Sequence, residues 1–252
     1  MQSRKVYFTN KQGYILASSL DMPKNRKAES YAILVPCFTC TKDLKSMINI
    51  GSALSEKGIA VFRFDFTGLG ESEGDFTDMS YSKMLDDLQD AVDYLKDNFD
   101  SPKLLIGHSL GGCLVIEIAN RIPSVKAVVT IASPSEPSNL LDKFQNTKDR
   151  ATKEGVAETE IGGVKFKLTR HFFEDLENHK MEPFITELNK PLLVMHSPAD
   201  TYGSIENGLH IFEKAKQPKS FISLEGIDHL MLNKADALYV GSLIAAWSEK
   251  YI

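Results

Sequence analysis

Cysteine is scarce in this chain. Three residues in 252, Cys37, Cys40 and Cys113, make no disulfide framework and suggest an intracellular, cytoplasmic protein with reduced thiols. A basic excess is missing too. The net charge is −5, and Lys and Arg are interspersed with Asp and Glu. Neither nucleic acid nor an anionic membrane surface is therefore expected as a partner. No apolar run approaches the roughly 18 residues that a membrane span needs. The opening MQSRKVYFTNKQGYILASS alternates polar and apolar residues and lacks the apolar core of a signal peptide. No P-loop and no cluster of metal-ligand residues stands out, so no cofactor is expected. What remains, 42% hydrophobic and 25% charged residues, is the composition of an ordinary globular chain with enough length to bury a full core.

The order of elements is informative. Val6–Thr9 and Ile15–Ser19 read as a hairpin around Asn10-Lys11-Gln12-Gly13. Apolar strand candidates follow at Tyr31–Val35, Ile59–Phe64, Leu104–Ile106, Ala127–Ile131, Leu192–Met195 and Phe221–Leu224. Helical spacing appears at Lys45–Lys57, Tyr81–Asn98, Cys113–Arg121, Ile205–Lys216 and Ala235–Tyr251. Strands alternating with helices imply an α/β fold, a mostly parallel sheet covered on both faces, in one domain spanning 1–252. The stretch from Pro134 to about Lys190 breaks the rhythm. It holds a hairpin signal, Glu158–Ile161 and Val164–Leu168 about Gly162-Gly163, and a short amphipathic turn with Phe172, Phe173 and Leu176. A structureless loop of that length is implausible, so 134–190 reads as an inserted cap or lid. Its position between two core strands would set it over an active site.

Gly107-His108-Ser109-Leu110-Gly111 fits G-x-S-x-G and stands between an apolar strand and a helix, the setting the motif needs. The sharp turn would lift the Ser109 hydroxyl above the sheet edge as a nucleophile. A serine needs a base. Of six histidines, His229 lies in a loop after the Phe221–Leu224 strand, at the carboxyl edge where α/β sites assemble. His196, at the end of the preceding strand, is its rival. Asp200, just beyond that strand, would orient the imidazole, with Asp228 as the minor candidate because adjacent side chains rarely pair. The order Ser–Asp–His is the one α/β-hydrolases use. The oxyanion would rest on the backbone N–H of Leu110 and on one from the loop after the Tyr31–Val35 strand, at Cys37 or Phe38.

Two motifs invite other chemistry. Cys37-Phe38-Thr39-Cys40 is a C-x-x-C, but it lacks a second ligand pair for zinc. Thr41-Lys42-Asp43 also separates it from the next helix, unlike a thioredoxin motif. In Asp65–Gly74 the third glycine is misplaced for dinucleotide binding, and Glu71 and Glu73 would repel a pyrophosphate. Tight-turn glycines explain it better.

Val35–Asp43, Arg63–Gly74, Gly107–Gly112 and His196–Asp200 resemble α/β-hydrolases. More narrowly they resemble the serine hydrolase that some bacteria fuse to an OsmC-like domain. The likeness runs over essentially the whole chain, including Ile161-Gly162-Gly163 and Gly226–Leu230. It implies the triad Ser109, Asp200 and His229 and esterase-like activity on a small acyl substrate. The chain departs from its relatives at Pro36-Cys37, where a His-Gly pair is usual, and the OsmC-like part is not among these residues. The expected reaction is cleavage of small carboxylic esters through an acyl-enzyme. Thioester, lactone or small-amide hydrolysis is the alternative. A catalytically silent scaffold for a separate OsmC-like thiol protein is the reading of another class.

Overall fold

In the computed structural model, which describes residues 1–252, the sheet forms because each central strand is apolar on both sides. Its strands are β1 (Gln2–Thr9), β2 (Ile15–Met22), β3 (Ser30–Val35), β4 (Ile59–Phe64), β5 (Leu104–His108) and β6 (Ala127–Ile131). Two more, Leu192–His196 and Lys219–Ser223, follow the cap. The eight lie in the order β1, β2, β4, β3, β5, β6, then those two. The β1–β2 and β2–β4 pairs are antiparallel and all the others parallel. Alternation along β3 serves both faces. Ala32 and Leu34 join one core with Met47, Ile50 and Leu54 of α1 (Lys45–Glu56). Ile33 and Val35 join the other with Leu88 and Val92 of α2 (Tyr81–Asn98) and Val115 and Ile118 of α3 (Leu110–Ala119). This is the α/β-hydrolase fold. β4 and β5 flank β3 on opposite sides, so the winding direction switches there, and the loops after β3 and β5 meet at the crevice that a switch point creates.

The segment after β6 carries a 3-10 turn at Pro137–Lys143, α4 (Gln145–Glu154), a hairpin of β7 (Val156–Ile161) and β8 (Val164–Thr169), α5 (Arg170–Asn178) and α6 (Glu182–Thr186). The chain then returns to β9 (Leu192–His196), α7 (Ile205–Lys214), β10 (Lys219–Ser223) and α8 (Lys234–Ser248). α4 has no counterpart in the sequence reading. Only Thr147 and Ala151 of its ten residues are buried, so no apolar period announces it. The cap shares the main core. Leu168, Phe172, Phe173, Leu176 and Ile185 belong to the same buried cluster as α2 and α3.

Charged residues fix the loop after β3. Lys42 is 1% exposed, and its ammonium meets Asp65 at 3.0 Å, Glu71 at 2.7 Å and Asp43 at 2.8 Å. The Lys42 N–H donates to Asp65 Oδ1 at 2.6 Å, and its carbonyl accepts from the Arg63 guanidinium. Arg63 in turn is bidentate to buried Asp21 of β2 (2.7 and 3.0 Å). The Lys42 hydrogen bond, reinforced by Lys5, holds the Glu71 carboxyl down to about 2. Glu71, itself exposed, is thus engaged as a partner of Lys42 and Lys5. Removing one partner of a buried pair leaves the other charge uncompensated. Asp65→Asn should therefore lower the unfolding free energy in urea by about 3 kcal/mol; an unchanged midpoint would show that Lys42 needs no buried counter-charge.

Candidate active site

Ser109 stands between β5 and α3 with φ +54° and ψ −124°, a strained conformation for a non-glycine residue. The space around it explains the flanking glycines. A Cβ at Gly107 would lie 2.1 Å from the Gly111 carbonyl oxygen, and one at Gly111 would lie 2.6 Å from that of Pro36. The second contact brings the loop after β3 against the first turn of α3. The helix begins at Leu110, three residues before the sequence reading began it, because Ser109 itself takes the N-cap position.

Three strand-end loops converge on this point. His229 Nδ1–H donates to Asp200 Oδ2 at 2.7 Å, leaving Nε2 to accept from the Ser109 hydroxyl at 3.2 Å. The Asp200 side chain is fully buried and also accepts from the N–H groups of Tyr202 (2.7 Å) and Gly203 (3.0 Å). Burial pushes its carboxyl up, but the His229 hydrogen bond, the Gly203 N–H, the His229 charge and the Tyr202 N–H together bring it below the usual range. The structure thus brings Ser109, His229 and Asp200 together.

The other candidates fall elsewhere. His196 is fully buried; its Nε2 donates to the Gly203 carbonyl at 3.1 Å and lies 3.6 Å from Asp200 Oδ2. It sits beside the acid's loop and makes no contact with Ser109. Asp228 accepts from the N–H groups of Leu230 and Leu232 (2.9 and 3.2 Å), shaping the histidine loop. The first residue of a helix has no intrahelical acceptor for its N–H, and Leu110 holds that position. The Cys37 and Phe38 N–H groups donate to no backbone acceptor. Cys37 and Cys40 do not carry reduced thiols as expected: they form a disulfide. The turn sets their Cα atoms 5.2 Å apart, within the span a disulfide bridges. Cys113 alone is free, and burial pushes its thiol up to about 12.

Two contributors had no sequence signal of their own. His108, fully buried, donates from Nε2 to the His229 carbonyl at 2.7 Å and so ties the elbow to the histidine loop. Tyr202, 63% exposed, stacks on the His229 ring with centroids 5.1 Å apart. Beside Ser109 and His229 opens a cleft of about 260 Å³, walled by Leu140, Asn139 and Lys143 from the cap and by Tyr202 and Asn207 from the sheet side. Ser135 binds Asn207 Oδ1 through its N–H (3.1 Å) and hydroxyl (2.9 Å), closing the cap onto α7. Phe38 stacks on Phe172 of the cap (5.1 Å) and approaches Phe76 (5.8 Å) and Phe144 (6.2 Å). No group of three His, Cys, Asp or Glu side chains is arranged to hold a metal ion. No helix is long and apolar enough to cross a membrane.

The esterase domain of a Rhodothermus marinus protein has a similar structure, with a TM-score of 0.81 and 39% identity over 100% of this chain and 99% of that one. The chain belongs to the α/β-hydrolase superfamily. A family profile described as serine aminopeptidase, S33, matches residues 41–163 of this hydrolase. Human mitochondrial palmitoyl-protein thioesterase ABHD10 is 24% identical over 226 residues, spanning 84% of this chain and 71% of that protein. Est1E of Butyrivibrio proteoclasticus, solved with ferulic acid bound, shares the fold at 22% identity, with a TM-score of 0.77 over 98% of each chain.

Burial, then repulsion from His229, lowers His108 from 6.5 to about 3. The unfolded chain takes this proton near the ordinary value while the folded protein resists it. The stability contributed is whole above that value and is lost as pH falls. In urea titrations between about pH 6 and pH 4 this group should cost about 1.4 kcal/mol per pH unit. His108→Gln, which cannot titrate, should flatten that slope; equal slopes would place the acid sensitivity in another group.

Proposed function

We propose that this hydrolase cleaves small carboxylic esters through an acyl-enzyme. The observation that carries the reading is the unbroken relay from Asp200 through His229 to Ser109, at 2.7 and 3.2 Å. Ser109 Oγ attacks the ester carbonyl as His229 Nε2 takes its proton. Asp200 stays ionised and holds the tautomer with Nδ1 protonated. The N–H groups of Leu110 and of Cys37 or Phe38 hold the oxyanion. His229 then protonates the departing alcohol, and water repeats the sequence to free the acid. Within the superfamily the chain sits, on its motif residues, with the hydrolases that some bacteria fuse to an OsmC-like domain.

The cleft, about 260 Å³ in volume, supports a short acyl group. A long alkyl chain needs a long apolar channel, whereas here Asn139, Lys143 and Asn207 interrupt the apolar wall formed by Leu110, Leu140 and Tyr202. A thioester is the second reading, favoured by the likeness to a protein named as a palmitoyl-protein thioesterase. The silent-scaffold alternative leaves the triad geometry without a use.

A fluorophosphonate probe should label the wild type and not Ser109→Ala. Asp200→Asn should lower kcat on p-nitrophenyl acetate by about 10⁴-fold, since the wrong imidazole tautomer is then stabilised. Folded wild type that takes no label would defeat the catalytic reading. A p-nitrophenyl series should favour acetate and butyrate over laurate; the reverse order would defeat the short-acyl assignment, and turnover of acyl-thioesters alone would select the second reading.

A further inference from the structure

The loop after β3 contains a covalent feature that ester cleavage does not use. The Cys37–Cys40 disulfide closes a ring of four residues, and the Cys40 N–H donates to the Cys37 carbonyl across the same turn at 3.0 Å. Inside the ring Thr39 has φ +65°. A β-branched residue in the left-handed region is strained, and such strain persists only where the surroundings impose it. The residue before it is Phe38, whose N–H is a candidate oxyanion donor. Cross-link, strained turn and donor therefore form one unit.

The two sulfur-bearing residues differ in access. Cys37 is buried at 5% exposure, while Cys40 is half-buried. Thr39 and Thr41, on either side of Cys40, line a groove of about 670 Å³ that runs between the Gly68–Gly70 turn and Lys165–Lys167 of β8. That volume admits a small thiol. Cys113 lies buried on α3, its thiol pushed up to about 12, and does not compete.

We propose that Cys37–Cys40 is an exchange site for low-molecular-weight thiols whose redox state sets the position of the Phe38 N–H, the oxidised hydrolase being the faster form. The gating half rests on the reading of this loop as the oxyanion loop; the exchange site itself does not. A small thiolate attacks Cys40 Sγ, the protein S–S bond breaks, and its electron pair leaves with Cys37, which takes a proton from water. A second small thiolate attacks the small-molecule sulfur of the mixed disulfide. The Cys40 thiolate is released and protonated, and the small disulfide departs. Two small thiols are oxidised and one protein disulfide is reduced to two thiols; the small disulfide drives the reverse. Opening the ring frees Thr39 to relax toward negative φ and turns the Phe38 N–H away from the developing oxyanion.

The test compares one preparation oxidised with glutathione disulfide, reduced with dithiothreitol and reoxidised, with intact mass reporting the state each time. Loss of an oxyanion donor typically costs 10²–10³-fold in kcat, and a displaced donor should cost at least about tenfold, with KM little changed. Cys37→Ser/Cys40→Ser should match the reduced wild type, and reoxidation should restore only the wild type. Brief treatment with glutathione, trapped by N-ethylmaleimide and mapped by peptide mass, should place the mixed disulfide on Cys40. Equal kcat in both verified states, or a protein that forms no disulfide under glutathione disulfide, would overturn the proposal. A mixed disulfide on Cys40 in a protein that turns over no ester in either state would overturn the esterase reading and the gating with it, while supporting the exchange site.

Discussion

The buried pair of Lys42 and Asp65 is the constraint on which the site depends. Loops leaving the carboxyl edge of a sheet have few backbone partners of their own, and the one after β3 must still hold its place against the first turn of α3 beside Ser109. Asp65 supplies what the loop lacks. It accepts both the N–H and the ammonium of Lys42 and also the Glu71 N–H, at 3.1 Å. Through Arg63 the same network reaches Asp21 on β2. A charge removed from water costs several kcal/mol unless it is matched, and here each buried charge has a partner of opposite sign. The arrangement acts as a scaffold for a loop too short to be one.

The triad itself is built from elements far apart in sequence, so its geometry depends on what joins the loops. His108 does this for the nucleophile and the base. Because it is neutral, its Nε2–H can hold the His229 carbonyl without adding positive charge next to the imidazole. Asp200 is held from the other side by two backbone N–H groups and flanked by His196. Both neighbours of the triad are thus buried imidazoles that burial keeps toward the neutral form.

The succession of strands along the chain and the residues at their ends were legible in the sequence because apolar runs and Gly-rich turns are local signals. Ser109, Asp200 and His229 follow three such runs. α4 was not legible: its polar face dominates and only Ala151 and Thr147 turn inward. The burial of Lys42, Arg63 and Asp65 was hidden for another reason. Charged side chains are solvated by default, and pairing across 23 and 42 residues leaves no periodic trace. The Cys37–Cys40 pair was visible as a motif, but its bonding depends on a tight turn that composition does not reveal. Glu71, read as a charge that would repel a phosphate, proved to be the counter-ion of Lys42.

Phe38 lies in the loop after β3, and its ring packs against the cap. The ring stacks on Phe172 and approaches Phe144, so the cap and the loop after β3 are packed together through one residue. Insertions at this point of the fold are natural places for new specificity to arise, since a different cap meets a different substrate. In this chain the cap is not an interchangeable cassette. A replacement without an aromatic partner for Phe38 would leave that ring unpacked and loosen the loop beneath it.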